Sequence, residues 1–179
     1  GYPVFVASEC PHGSSHFDGL FGLGLVNSCA ATTDILTVAL VSCIPVLCIG
    51  EGLQALNLTK GGRSAQTLDG HSSVHSEIEQ TSSYHRIFIS PGSKLAAIVG
   101  SGGFVRVNSR HSSGLREADK SRRLTASAYS LDDGIIEALE TPDDQWVIGV
   151  QFNPERRGEL PPHFDRLFQS LVERAAEQD

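Results

Sequence analysis

Apolar positions fall into short runs separated by Gly, Pro or polar clusters, and the spacing within each run predicts its element. β-Branched and aromatic residues edged by Gly or Pro predict strands over residues 3–7, 19–25, 45–49, 86–90, 104–108, 124–129, 135–140 and 147–152. Helical spacing predicts a helix over 33–42, opened by the Thr32-Thr33-Asp34 cap signal and closed before Ile44-Pro45. A second follows over 52–59, ending at Gly61-Gly62, and Ser93 caps a short turn through Leu95, Ala96 and Ile98. The last helix follows Pro161-Pro162 and sets Phe164, Leu167, Phe168, Leu171, Val172 and Ala175 on one face. Strand and helix alternate early and strands dominate late. This predicts a three-layer α/β domain with a mixed, mostly parallel sheet and an antiparallel extension. The Ser-rich stretch 62–83 reads as a surface excursion.

The 179 residues with 40% apolar content suit one domain over 1–179 and are short for two. Fourteen Lys+Arg against 21 Asp+Glu give a net charge of −7, which argues against nucleic acid or an anionic membrane as partner. The uncharged run 35–50 is 16 residues and contains Pro45, too short and interrupted to span a bilayer. No signal peptide precedes Val4-Phe5-Val6, so a cytoplasmic location is expected. Met is absent, and Gly1 reads as a processed, tagged or truncated start. Cys10, Cys29, Cys43 and Cys48 follow no CxxC spacing. Cys10, His12 and His16, or His71 and His75, are metal corners without a convincing third ligand, so neither a metal nor a cofactor is expected.

The most informative stretch is Pro45-Val46-Leu47-Cys48-Ile49-Gly50-Glu51-Gly52-Leu53-Gln54-Ala55-Leu56-Asn57, a buried strand turning abruptly into a helix with glycines at the turn. Such a turn is either an ordinary strand–helix junction or a nucleophile elbow, where backbone N–H groups at the helix start can stabilise an oxyanion. This segment resembles the PVLGICRGMQLLN segment of class I glutamine amidotransferase-like hydrolases, in particular the γ-glutamyl-γ-aminobutyrate hydrolase type, peptidase C26. Further segments resemble that family in order. Gly61-Gly62-Arg63 is similar to its GGTL turn, and Ser90-Pro91-Gly92-Ser93-Lys94-Leu95 to its PGSKLA segment. Val107-Asn108-Ser109-Arg110-His111 is similar to VNSxH, and Asp133-Gly134-Ile135-Ile136-Glu137-Ala138 to DGxIEA. Gly149-Val150-Gln151-Phe152-Asn153-Pro154-Glu155 matches GVQFHPE at all but one position. The resemblance implies a class I glutamine amidotransferase-like (flavodoxin-like) fold and Cys-His-Glu hydrolysis of γ-glutamyl amides.

The departures fall on the chemistry. The family's nucleophilic Cys is Gly50, its His is Asn153, and only Glu155 remains of the triad. Glycine has nothing to attack with, and asparagine has no proton affinity near neutral pH, which leaves the orienting carboxylate nothing to orient. The oxyanion segment DGLLLPGG appears as Asp18-Gly19-Leu20-Phe21-Gly22-Leu23-Gly24-Leu25, with Leu23 for the proline and Leu25 for the second glycine. Glu51 follows the nucleophile position, where a carboxylate repels a developing oxyanion. By resemblance, Gly24, Leu25, Glu51, Gln54, Asn108, Ser109 and His111 occupy substrate-binding positions.

These substitutions point to a catalytically inactive γ-glutamyl hydrolase-like protein, a binding or regulatory module whose ligand would be glutamine or a γ-glutamyl small molecule. Two alternatives stay open. One is an active γ-glutamyl amide hydrolase with a relocated mechanism, using Cys48, Glu51 or a metal near His111. The other is an interaction or assembly subunit. The family's first strand and helix have no counterpart before Pro3, so either the chain is truncated or a homo-oligomer or protein partner covers the N-terminal side.

Overall fold

A computed structural model describes residues 4–6, 19–22, 30–68 and 82–177, with side chains for 33–68 and 82–177. In chain order the strands are β1 (Val4–Val6), β2 (Gly19–Gly22), β3 (Val46–Ile49), β4 (Gln66–Thr67), β5 (Ser83–Ile89), β6 (Gly103–Ser109), β7 (Ser113–Gly114), β8 (Thr125–Ser130), β9 (Ile136–Glu140) and β10 (Val147–Val150). The helices are α1 (Ala30–Val41), α2 (Glu51–Thr59), α3 (Lys94–Val99) and α4 (Arg166–Ala176). Eight strands join one sheet in the order β1-β2-β3-β10-β9-β8-β5-β6, and β4 and β7 form a separate ribbon.

Strand β3 carries apolar side chains at every position because both faces of the sheet are covered there. In β3, Val46 and Cys48 join one core layer with Leu36 and Leu40 of α1 and Leu53 and Leu56 of α2. The alternate residues Leu47 and Ile49 join the opposite layer with Leu95 of α3 and Leu167 and Leu171 of α4. The period of two along one strand thus feeds two helix layers, the three-layer arrangement expected.

Three expectations change. The sheet is mixed but not mostly parallel: β1–β2, β2–β3 and β3–β10 pair parallel, whereas β10–β9, β9–β8, β8–β5 and β5–β6 pair antiparallel. Short connections between β8 and β9 and between β9 and β10 permit antiparallel neighbours, which need no crossover helix, whereas β5 and β6 are joined through α3. Helix α1 begins at Ala30, so Thr32-Thr33-Asp34 lies within it; Thr37 Oγ1 donates to Thr33 O at 2.7 Å, the back-bond a threonine inside a helix can make. On α4, Leu167, Leu171 and Ala175 are buried but Val172 is 43% exposed, so the apolar stripe is narrower than its sequence suggested. Ser93 caps α3 as expected, its side chain accepting from the Ala96 N–H at 3.1 Å, and Gly100 ends that helix in the left-handed conformation. Among the described residues no helix is long and apolar enough to cross a membrane.

Candidate active site

Strands β3 and β10 run parallel at the middle of the sheet, with Ile49 opposite Val150. Their C-terminal ends therefore deliver Gly50 and the 151–155 segment to the same place. The Gly50 N–H donates to Val150 O at 2.8 Å, and α2 starts at the next residue. Gly50 has φ 59° and ψ −119°, a conformation that L side chains adopt only under strain. The turn has elbow geometry, with a glycine at its apex.

A Cβ at Gly50 would lie 4.0 Å from Asn153 Nδ2. Asn153 Nδ2 in turn donates to Glu155 Oε1 at 2.8 Å. Asn108, fully buried on β6, fixes the Asn153 backbone from both sides: its Oδ1 accepts from the Asn153 N–H at 2.8 Å and its Nδ2 donates to Asn153 O at 3.0 Å. The second Asn108 N–H reaches Glu159 Oε2 at 2.8 Å. Burial alone would raise the Glu159 pKa, but hydrogen bonds from Ser82, Arg156 and Asn108 hold it below the ordinary carboxylate value.

Gly50, Asn153 and Glu155, the positions that resemble a nucleophile, a base and an orienting carboxylate, are thus brought together. The expectation that Glu155 has nothing to orient is corrected, because the Asn153 carboxamide takes the N–H role of an imidazole toward it. What an amide cannot do is accept and release a proton at neutral pH. Glu155 Oε2 is buried with no hydrogen-bond partner among the described residues.

Other expected site residues are distributed around this line. Gln54, half-buried on α2, donates through Nε2 to Ser113 Oγ at 3.0 Å, Ser113 O at 3.2 Å and Gln151 Oε1 at 3.3 Å, so its amide ties the helix to β7 and to the end of β10. Glu51 is exposed in the first turn of α2. Ser109 is buried and its carbonyl accepts from Ser83 Oγ at 3.1 Å. Cys48 is buried, and burial pushes its thiol pKa up to about 12, so it is protonated and unreactive at neutral pH. Gly24 and Leu25, and the candidate metal corners Cys10, His12, His16, His71 and His75, lie outside the described residues.

His111 is buried. It is 7% exposed, with Nδ1 3.0 Å from Ser113 O and Nε2 3.6 Å from Glu137 Oε1. His85 Nε2 approaches the same carboxylate oxygen at 3.1 Å. Burial would raise the Glu137 pKa, yet the two imidazoles hold it lowered. Burial would lower that of His85, yet Glu137, with smaller pulls from Asp133 and Asp132, holds it raised. Reading the sequence linked neither His85 nor Glu137 to His111; the three are far apart in the chain and meet only when β5, β6 and β9 enter one sheet. Among the described residues no group of three or more His, Cys, Asp or Glu is arranged to hold a metal ion.

Comparison with known proteins places this geometry. The peptidase C26 family model matches residues 30–155. A Schizosaccharomyces pombe protein named as a glutamine amidotransferase is 34% identical over 140 residues, covering 76% of this chain and 53% of its own length. A Mycobacterium tuberculosis protein named likewise is 34% identical over 146 residues, covering 79% of this chain and 44% of its own. The chain therefore spans about half the length of these relatives. Among solved structures, the glutaminase domain of Trypanosoma brucei CTPS with bound acivicin superposes with a TM-score of 0.71 at 19% identity, covering 91% of this chain and 72% of that one. A glutamine amidotransferase of Thermotoga maritima gives 0.61 at 15% identity, covering 90% and 65%. At such identities the structural likeness establishes the fold alone, whereas the family model covers most of the described chain. The chain belongs to the peptidase C26 family, within the class I glutamine amidotransferase-like superfamily.

Proposed function

We propose that this protein is a catalytically silent γ-glutamyl hydrolase-like module, retained as a binding or regulatory unit. The observation that carries the reading is the pair Gly50 and Asn153. A glycine in elbow conformation faces a carboxamide across 4.0 Å from its virtual Cβ, where covalent catalysis needs a thiolate and a base. Losing both members of a nucleophile–base unit leaves only binding and oxyanion stabilisation. The relocated mechanism draws no support from its candidates. Cys48 is buried with a raised pKa, Glu51 projects to solvent from the helix start, and His111 is engaged with Glu137 and Ser113.

The ligand would be glutamine or a γ-glutamyl compound held near Gln54 and Asn108. The test has two arms. Purified protein is assayed for ammonia or amine release from glutamine and γ-glutamyl-γ-aminobutyrate, with none expected above the uncatalysed rate. Melting is then followed with glutamine, glutamate and γ-glutamyl compounds, because a ligand of the native state raises its stability. A concentration-dependent rise supports the binding module. No rise with any of them contradicts it and leaves the assembly subunit.

A further inference from the structure

The net charge of −7 conceals a local reversal. A cleft of about 480 Å³ opens between the end of α2 and the 118–123 segment, far along the helix from Gly50. Lys60, Arg63, Lys120, Arg122 and Arg123 line it, among the described residues against a single carboxylate, Asp119, so five of the chain's 14 basic residues converge there. Lys120 is engaged, its Nζ lying 2.9 Å from Leu124 O and 3.3 Å from Glu117 Oε1. Among the described residues, the side chains of Lys60, Arg63, Arg122 and Arg123 have no ion-pair partner. Like charges held together in excess of counter-ions cost free energy, and a concave wall that is mostly of one sign concentrates the field.

The wall is held in place by a built scaffold. Asn57, fully buried on α2, donates through Nδ2 to Arg63 O at 2.9 Å and Asp119 O at 3.0 Å, and its Oδ1 accepts from the Ser121 N–H at 2.8 Å. Gly62 must be glycine here, because a Cβ would come within 2.3 Å of the Asn57 amide. The helix-end carbonyls that would repel an anion are occupied: Leu56 O, Asn57 O and Leu58 O accept from the N–H groups of Lys60, Gly62 and Gly61, and Lys60 O accepts from Ser121 Oγ at 2.6 Å. Asp119 Oδ2 is taken by Gln66 Nε2 at 3.0 Å. Among the described residues no aromatic side chain lines the cleft, so they offer charge without a ring on which a base would stack.

We propose that this cleft binds a small anion carrying two or more linked phosphates, read by the guanidinium groups of Arg63, Arg122 and Arg123. Its volume falls within the range of about 300–1,000 Å³ usual for small-molecule sites, and guanidinium forks suit phosphate oxygens. The site is independent of the elbow, so an inert Gly50 neither supports nor weakens it.

Calorimetric titration of the intact protein with pyrophosphate, tripolyphosphate and ATP tests this, with sulfate at matched ionic strength as control. Saturable binding is expected, stronger for the linked phosphates than for sulfate and weakening with salt. The double variant Arg122→Ala/Arg123→Ala and the single variant Arg63→Ala should each lose about tenfold or more in affinity. All three side chains are exposed, so melting should match the parent. Arg174→Ala, which removes an exposed cation on α4, should bind as the parent does. Failure of all three phosphate compounds to saturate, equal binding of sulfate, or undiminished affinity in the arginine variants would overturn the proposal. So would preference for a single-stranded oligonucleotide or an acidic peptide over tripolyphosphate.

Discussion

Gly50 holds a backbone conformation that costs any L side chain about 1–3 kcal/mol. A Cβ there would meet nothing closer than Asn153 Nδ2 at 4.0 Å, so the cost of adding one is conformational rather than steric. Gly50→Ala should therefore lower unfolding stability by about 1–3 kcal/mol in denaturant titration, with the native fold intact. The positive φ, which no L side chain adopts without strain, is a physical reason for glycine, rather than alanine or serine, at this position. Two thiols nearby make a paired test of reactivity. Cys43 is exposed and Cys48 buried with its pKa near 12, so iodoacetamide followed by peptide mapping should modify Cys43 and leave Cys48 untouched in native protein. The buried Glu137 with His85 and His111 predicts a pH signature. Glu137, lowered from its ordinary 4.5, contributes stability above that value and loses it as pH falls through its folded pKa. His85, raised from 6.5, contributes fully below 6.5 and loses its contribution as pH rises through its higher folded value. Melting temperature should decline as pH climbs above 6.5, and Glu137→Gln should flatten that decline.

At the scale of elements, α2 runs from the elbow to the basic cleft: its first residue follows Gly50, its last turn carries Asn57, and Lys60 is its C-cap. Asn57 satisfies Arg63 O, Asp119 O and the Ser121 N–H, so truncation orphans buried groups at the helix end. Asn57→Ala should cost about 2–4 kcal/mol and loosen the basic cleft. The strand–turn–helix around Gly50 was legible in the sequence because its signals are local: a short apolar run, glycines at the turn and an apolar helix face. The ribbon of β4 and β7 was not, since Gln66-Thr67 and Ser113-Gly114 carry no period and pair only because other elements bring them together. The start of α1 was misplaced because Thr and Asp signal a cap yet are tolerated inside a helix, and the alanines ahead of them favour helix.

Across the whole molecule, the sheet's covered centre sets the site, because the parallel ends of β3 and β10 bring residues 50 and 153 together. The layered fold was readable from buried apolar runs alternating with helices. The balance of parallel to antiparallel pairing was not, since pairing direction depends on connections more than on strand composition. The net charge of −7 is a sum over the chain and did not show where the cations gather, five of them beside the end of α2. Gly50 and Asn153 at positions that resemble the family's Cys and His were legible residue by residue, but the Asn153–Glu155 contact joins side chains whose geometry the sequence does not carry. Phe152, fully buried and 5.2 Å from the Phe164 ring, anchors the segment that carries Asn153, and Phe152→Ala should cost about 3–5 kcal/mol in unfolding stability. The central claim is that no side chain at the elbow forms a covalent bond to substrate. Intact-protein mass spectrometry after incubation with acivicin, with peptide mapping of any product, tests it most directly: the expected result is an unmodified 45–57 and 147–157 sequence, and an adduct on any residue within those segments would contradict it.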